Sequence, residues 1–198
     1  MLPASIQKFI DGFSKLPSLG PRMATRLAFY LLNLDRAELT SLIDALGGLK
    51  HLNRCPRCFF FKEASAAVCA VCANPKRGSG IVAIVERETD LIAIEKTGKF
   101  NGQYLILGEL PEKGMLESAH KLRLAALKHR IKEGGGRLQE LVIALSPTSF
   151  GDFTADVIRQ EFQELAEHIT RLRRGIPTGG EIEFTDEETL GQALERRT

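Results

Sequence analysis

The chain has 198 residues, of which 43% are hydrophobic and 26% are charged, a composition typical of an ordinary globular protein with one large or two small domains. Its first residues include an early lysine and an early aspartate, and they lack the apolar segment of a signal peptide. No apolar run reaches the length of a membrane span, so we expect no membrane partner.

The formal net charge of +2 conceals an uneven distribution of charge. Residues 1–80 contain eleven Lys and Arg against five Asp and Glu, whereas residues 81–198 contain sixteen against twenty. A basic first part suits a polyanion such as a nucleic acid, and an acidic remainder suits a partner of a different kind. Uneven solvation of two protein faces would give the same asymmetry, so charge alone leaves both interpretations open.

The first third of the chain has the periodicity of helices. The first predicted helix carries apolar residues at helical spacing: Ile6, Phe9, Ile10 and Phe13. After a break at residues 16–21, a second helix is predicted with one apolar face: Met23, Leu27, Tyr30 and Leu31. A third is predicted to be capped by Asp35 and ended by Gly47-Gly48, with its own apolar face: Leu39, Leu42, Ile43 and Leu46.

From residue 81 onward, short apolar runs alternate with helical patterns. The runs at residues 81–85, 103–107 and 141–145 are typical of buried strands, and helices are predicted at about 88–95, 116–133 and 153–167. Strands that alternate with helices indicate a mostly parallel sheet. The glycine-rich tail is predicted to form a short strand at Ile182–Phe184 and a last helix from about Asp186.

All four cysteines of the chain lie in one eighteen-residue stretch: Cys55, Cys58, Cys69 and Cys72. Two C-x-x-C pairs at this spacing suit a tetrahedral metal, because each pair places two thiolates on one turn. Two disulfides or a redox dithiol are the alternatives, but a C-x-x-C disulfide closes a strained small ring and a redox motif needs only one pair. We therefore expect one structural Zn²⁺ per chain, with folding of this segment coupled to metal binding, and a reducing cytoplasm as its location.

The turn at residues 16–22 opens the second helix and predicts an anion site. The free backbone N–H groups of a helix N-terminus bind phosphate, and Arg22 and Arg26 project from the same face four residues apart. Together they are suited to bind DNA phosphates independently of base sequence. A plain helical hairpin with two solvated arginines is the alternative.

Two carboxylates follow predicted strands at the edge where α/β proteins place their sites. Glu86 follows the run at 81–85, and Asp152 follows the run at 141–145 and a short loop. The pair could hold Mg²⁺ with water in most coordination positions. An exposed strand-end carboxylate and a helix N-terminal aspartate are the alternatives, so these residues leave Mg²⁺ binding open.

The order of these segments resembles the RecR family of bacterial recombination mediators over about residues 5–197. Four pieces carry the resemblance: LPSLGPRMATRLAF at residues 16–29, the four-cysteine segment, IVAIVE at 81–86 with DLIAIEKTG at 90–98, and RGIPTGGEIEF at 174–184 with Thr189-Leu190. The resemblance implies an α+β protein of several parts: a helical helix-hairpin-helix DNA-binding domain at 1–53, a four-cysteine zinc finger at 54–76, an α/β Toprim domain with a mostly parallel sheet at 79–174, and a C-terminal strand-helix tail at 175–198.

The resemblance also implies a function without catalysis. Members of this family form ring-shaped oligomers, tetramers or dimers, that bind single-stranded or duplex DNA at the bacterial nucleoid. With RecO and RecF they help to load recombinase on gapped DNA. Arg22 and Arg26 match the DNA-contacting basic positions of the family, and Glu86 matches the Toprim glutamate, whose domain serves largely as a partner-binding surface.

Three departures from the family pattern qualify this prediction. Ser18 replaces a loop glycine, so we expect a reshaped hairpin because serine disfavours positive φ. Phe150 replaces the first acid of the segment at 146–152, which disfavours Mg²⁺-dependent cleavage. The connection at 109–114 also differs from the usual loop. A Toprim nuclease or phosphotransferase using Glu86 and Asp152, and an adaptor without a DNA role, remain the alternative functions.

Overall fold

The computed structural model describes residues 2–111, 116–195 and 197. Part of the unusual connection at 109–114 therefore lies outside the described residues. The chain divides into two compact units, Met1–Leu52 and Asn53–Thr198.

The first unit is helical and contains the predicted hairpin. Its helices are α1 (Ala4–Phe13), α2 (Pro21–Leu32) and α3 (Arg36–Gly48), followed by a 3₁₀ turn at Leu49–His51. Pro21 occupies the first turn of α2, where its missing N–H costs nothing. The Asp35 carboxylate accepts a hydrogen bond of 2.8 Å from the Glu38 N–H, which confirms the predicted cap of α3.

The buried face of α2 differs from the predicted one. Ala24 and Ala28 are buried, whereas Met23 and Tyr30 are 52% and 64% exposed. The apolar face predicted for α3 is not buried either, because this helix has no buried residue. The physical reason is size: small alanines allow close helix packing, and a unit of about fifty residues cannot enclose all of its large apolar side chains.

The second unit contains two sheets. Before the main sheet come β1 (Leu52–Arg54), β2 (Phe61–Glu63) and the short α4 (Ala70–Ala73), and β1 pairs with β2. The remaining elements are β3 (Ile81–Val85), α5 (Glu88–Lys96), β4 (Gln103–Ile106), α6 (Ser118–Glu133), β5 (Leu138–Ala144), α7 (Ser149–Phe162), β6 (Ala166–Arg171), a 3₁₀ turn (Ile182–Phe184) and α8 (Glu187–Glu195). The main sheet is parallel with the order β4-β3-β5-β6.

Alternate residues of β3 enter two different cores on the two faces of the sheet. Val82 and Ile84 lie in the cluster that contains the buried residues of α6 and α7. Ala83 and Val85 lie in the cluster that contains Leu91 of α5 and the four cysteines. A strand buried on both faces explains the continuous apolar run from which β3 was predicted.

Two sequence predictions in this unit are wrong. The helix predicted at 153–167 ends at Phe162, and Ala166–Arg171 forms β6, which pairs with β5. The strand predicted at Ile182–Phe184 is a 3₁₀ turn closed by hydrogen bonds from Phe184 N to Glu181 O and from Thr185 N to Ile182 O. These local bonds replace strand pairing for that segment.

The architecture is otherwise the α+β arrangement predicted from the sequence. A helical N-terminal unit precedes a four-cysteine cluster, a parallel four-stranded sheet and a C-terminal helix. Among the described residues, no helix has the length and apolar character needed to cross a membrane.

Candidate metal centre and nucleic-acid interface

The four cysteines form a compact buried cluster. Their Sγ atoms all lie within 4.8 Å of one another, and the Sγ atoms of Cys58 and Cys69 are 3.4 Å apart. All four are free thiols, which rules out the disulfide alternative for this structure. With Zn–S bonds of 2.3 Å, tetrahedral coordination places neighbouring sulfurs about 3.8 Å apart. The cluster therefore has the dimensions and the donor set of a four-thiolate metal site, consistent with zinc.

Backbone turns fix the first C-x-x-C pair. Cys55 follows β1, and its carbonyl accepts the Phe59 N–H at 2.9 Å, closing a turn in which Phe59 has a φ of 64°. Two backbone N–H groups point at sulfur: Cys69 N–H donates to Cys55 Sγ at 3.4 Å, and Phe60 N–H donates to Cys58 Sγ at 3.5 Å. Such donors stabilise thiolates, so the chain is arranged for metal-bound sulfur.

The thiols have opposed pKa shifts. Burial raises the pKa of Cys55, but backbone hydrogen bonds from Cys69, Cys58 and Arg57 outweigh it and bring the value to about 7. Burial raises the pKa of Cys69 to about 11, and a hydrogen bond with Cys72 together with burial raises that of Cys58. Mutual repulsion opposes several thiolates in so small a cluster, and a bound cation would favour the ionised sulfurs.

The cysteine segment is attached to the edge of the main sheet. The Cys58 carbonyl accepts the Ile106 N–H of β4 at 2.8 Å. Arg54 forms a salt bridge with Glu88 of α5 and donates to the Phe59 carbonyl at 2.8 Å. Arg123 of α6 lies over the Phe59 ring at 5.1 Å. Phe59 and Phe60 pack against the cysteine cluster, whereas Phe61 is exposed. The metal centre is part of the second unit.

The hairpin of the first unit presents the two predicted arginines to solvent. Arg22 and Arg26 are exposed on α2, and within the described residues neither forms a salt bridge. Gly20 caps α2 without a side-chain hydrogen bond, which leaves the first N–H groups of the helix available. In the hairpin loop, Ser18 itself adopts a φ of 62°, a left-handed conformation that favours glycine.

Glu86 and Asp152 occupy the strand ends predicted for them but have separate partners. Glu86 is buried after β3, where its carboxylate accepts the Leu110 N–H at 3.4 Å and lies 3.4 Å from Arg87. Asp152 lies in the first turn of α7, and its two oxygens accept hydrogen bonds of 2.6 Å from Arg171 and Arg174. These two bonds lower the pKa of Asp152. Among the described residues, the cysteines form the only metal-suited group of three or more.

The arginines that hold Asp152 were not identified from the sequence. Arg171 ends β6 and Arg174 follows it, and Arg174 also forms a salt bridge with Glu188 of α8. This network borders a cavity of about 600 Å³ between the carboxyl end of the sheet and α8. The sequence signals were the run RLRR at 171–174, which is equally typical of a solvated surface, and the place of Arg174 at the start of the segment 174–184.

Comparison with known protein families covers most of the chain. Residues 6–49 match the model described as RecR, helix-hairpin-helix, residues 80–173 match a Toprim domain model, and residues 175–198 match the model described as RecR, C-terminal. The chain therefore contains a helix-hairpin-helix segment, a Toprim domain and a RecR C-terminal segment in the predicted order.

Full-length relatives agree with these matches. The chain is 37% identical over 194 residues to the recombination protein RecR of Bifidobacterium adolescentis, covering 98% of this chain and 95% of the relative. It is 37% identical over 196 residues to that of Rubrobacter xylanophilus, covering 98% and 96%, and 38% identical over 200 residues to that of Roseiflexus castenholzii, covering 100% and 95%. On these similarities and on its helical hairpin, cysteine cluster and parallel sheet, the chain belongs to the RecR family of recombination proteins.

Proposed function

We propose that this protein is a DNA-binding mediator of recombinational repair, which works with RecO and RecF to load recombinase onto gapped DNA at the bacterial nucleoid in the cytoplasm. The observation that carries the DNA-binding step is the hairpin, where Arg22 and Arg26 are exposed beside the open N-terminus of α2. Membership of a family of recombination proteins supports the biological role.

The proposed contacts are phosphate contacts. Arginines and backbone N–H groups at a helix N-terminus bind phosphate oxygens, which are the same at every base. Binding is therefore expected to show little sequence preference and to weaken steeply as salt rises. Single-stranded and duplex DNA both present this backbone, so both are expected ligands.

The test is a fluorescence-anisotropy salt titration with the Arg22→Ala/Arg26→Ala double variant. Each lost phosphate contact is expected to reduce the log–log salt slope by about 0.7 to 0.9. The matched control is Arg36→Ala/Lys50→Ala, which removes two exposed positive charges from the same unit but away from the hairpin. Equal slopes for the two double variants would refute the assignment of Arg22 and Arg26.

We also propose that the protein acts as a homo-oligomer, a tetrameric ring or a dimer. The supporting observation is the exposed apolar surface of the first unit: Met23, Phe29, Tyr30, Leu32, Leu42, Ile43, Leu46 and Leu49. Exposed large apolar side chains in this number are typical of an interface, and several weak phosphate contacts held together in one assembly raise DNA affinity steeply. Native mass spectrometry with and without DNA tests this proposal, and a monomer in both would contradict it.

The Toprim domain is proposed to act without catalysis. A Toprim nuclease or phosphotransferase needs acidic residues free to hold Mg²⁺, but both oxygens of Asp152 are engaged by arginines, and Phe150 stands at the other acidic position. The test is nicking of supercoiled DNA in Mg²⁺. Cleavage that disappears in Glu86→Gln would establish the enzyme alternative instead.

The second unit is proposed to dock RecO and RecF. Near Asp152, α7 exposes Phe153 and Asp156 at helical spacing, and Leu172 is exposed at the end of β6. The acidic excess of residues 81–198, twenty Asp and Glu against sixteen Lys and Arg, suits a basic partner, and the exposed apolar side chains supply contact area. In a pull-down, Phe153→Ser/Asp156→Lys is expected to lose RecO while the Arg22→Ala/Arg26→Ala variant retains it. If only the Arg22→Ala/Arg26→Ala variant loses RecO, docking lies in the first unit. If that variant instead binds DNA normally, the adaptor alternative is favoured.

A further inference from the structure

A partly buried arginine beside the cysteine cluster has no role in the proposed DNA or partner contacts. Arg130 lies in the last turn of α6 and reaches the first C-x-x-C pair, where its Nη1 donates a hydrogen bond of 2.7 Å to the Arg57 carbonyl. Arg57 is the residue directly before Cys58. The guanidinium is thus fixed against the backbone of the cysteine cluster.

The other terminal nitrogen of Arg130 is buried without a hydrogen-bond partner among the described residues. A buried guanidinium N–H that bonds nothing is costly, and native proteins retain such a group only where a partner or a counter-charge compensates it. No carboxylate among the described residues lies within salt-bridge distance of Arg130.

The compensating charges available to Arg130 are the cysteine sulfurs. Burial and the nearby positive charge of Arg57 lower the pKa of Arg130, and the attractions that oppose them come from Cys72, Cys58 and Cys55. Thiols are neutral and would leave the arginine uncompensated. Four thiolates around a divalent cation carry a net charge of −2, which would compensate it.

We propose that Arg130 is a positioning residue of the metal centre, whose positive charge offsets the excess negative charge of the metal-loaded cysteine cluster. The arginine does not ligate the metal. It stabilises the metal-loaded state over the metal-free state, and it does so from α6 of the Toprim domain. Groups outside the ligand shell commonly change metal affinity by about 10- to 100-fold when they are replaced.

The test measures metal affinity of the full-length protein by competition with a chromophoric chelator for Zn²⁺, and for Co²⁺, whose thiolate charge-transfer band reports the site directly. Arg130→Gln is expected to raise the metal dissociation constant about 10- to 100-fold, and Arg130→Lys, which keeps the charge without the planar donors, is expected to raise it less. The matched control is Lys132→Gln, which removes an exposed positive charge from the same helix turn and is expected to leave the affinity within about twofold of wild type.

A second measurement separates this role from general support of the fold. Thermal stability is compared with metal bound and with metal removed by chelator, for the parent protein and each variant. The proposal expects Arg130→Gln to lower the melting temperature of the metal-loaded protein and to leave that of the metal-free protein unchanged or higher. Equal losses in both forms, or an affinity equal to that of the Lys132→Gln control, would overturn it. If Arg130→Gln does not fold, Arg130→Lys decides by the same two measurements.

Discussion

The two compact units of this chain differ in where their large apolar side chains lie. In the first unit the buried residues are Ile10, Ala24 and Ala28, whereas the second unit buries bulky residues on both faces of its sheet, Phe162, Ile84 and Leu91 among them. Burial of apolar surface is the main source of stability. We therefore expect the second unit to be the more stable part of the chain, whereas the first unit exposes the apolar side chains on which the proposed assembly rests.

Metal removal should have the largest effect and should act on the second unit alone. Binding of structural metal contributes about 10–16 kcal/mol in zinc-finger peptides, so a chelator or Cys58→Ser is expected to unfold the cysteine segment. Hydrogen exchange by mass spectrometry should show loss of protection in residues 53–73 and in β4, with α1 and α2 unchanged. Chelator should have no further effect on Cys58→Ser, and protection that survives chelation in the parent would contradict the coupling of metal to folding.

Truncation of a large apolar residue should reduce the free energy of unfolding much more in the second unit than in the first. Phe162→Ala removes a fully buried ring and is expected to cost about 3–5 kcal/mol in urea unfolding. Tyr30→Ala, in the exposed face of α2, is expected to change stability by less than about 0.5 kcal/mol in dilute protein. A cost for Tyr30→Ala that grows with protein concentration would show that a second copy buries this face. A cost equal to that of Phe162→Ala in a dilute monomer would contradict the exposure of α2.

Asp152→Asn should have a smaller effect, confined to the acid side of the stability profile. Hydrogen bonds from Arg171 and Arg174 lower the pKa of Asp152. The ionised carboxylate therefore stabilises the folded protein at pH values above the ordinary aspartate pKa, and this stabilisation is lost as the pH falls through the lowered pKa. The side chain is 38% exposed, so solvent screening limits the contribution to about 1 kcal/mol or less. Unfolding from pH 2 to 7 should show a shallower acid limb for Asp152→Asn. An unchanged acid limb would assign the pH dependence to other carboxylates.

The smallest expected effect is a gain in stability of the first unit. Ser18 has a φ of 62°, a conformation that costs a residue with a Cβ about 1 kcal/mol, and glycine returns part of that through its larger unfolded-state entropy. Ser18→Gly is therefore expected to stabilise the hairpin by about 0.5 kcal/mol in thermal unfolding followed by circular dichroism. The control is Ser14→Gly, where φ is −64° and glycine should destabilise by a similar amount. A loss of stability in Ser18→Gly would show that the serine side chain has a role of its own.

The cysteine cluster could be predicted from the sequence because its signal is local. Four cysteines in two C-x-x-C pairs specify a tetrahedral donor set whatever surrounds them. The buried strand β3 could be predicted equally well, since burial on both faces leaves a continuous apolar run in the sequence.

Features that depend on tertiary partners could not be predicted from the sequence. β6 has the sequence AEHITR, largely polar, and follows α7 without glycine or proline, so nothing local distinguishes it from a continued helix. The apolar pattern of α2 shows that one face is hydrophobic but not which neighbour covers it. Arg130 acquires its position only when α6 meets the cysteine segment.

The hydrogen bond from Ile106 to the Cys58 carbonyl has a consequence for aggregation. β4 and β6 are the two edges of the main sheet, and exposed edges can pair with strands of other molecules. β6 carries Glu167, His168 and Arg171, whose charge and polarity discourage such pairing, whereas β4 is largely apolar and has its outer Ile106 N–H occupied by the cysteine segment. The cysteine segment thus shields a vulnerable edge, and we expect a chain in which this segment unfolds to expose β4 to intermolecular strand pairing.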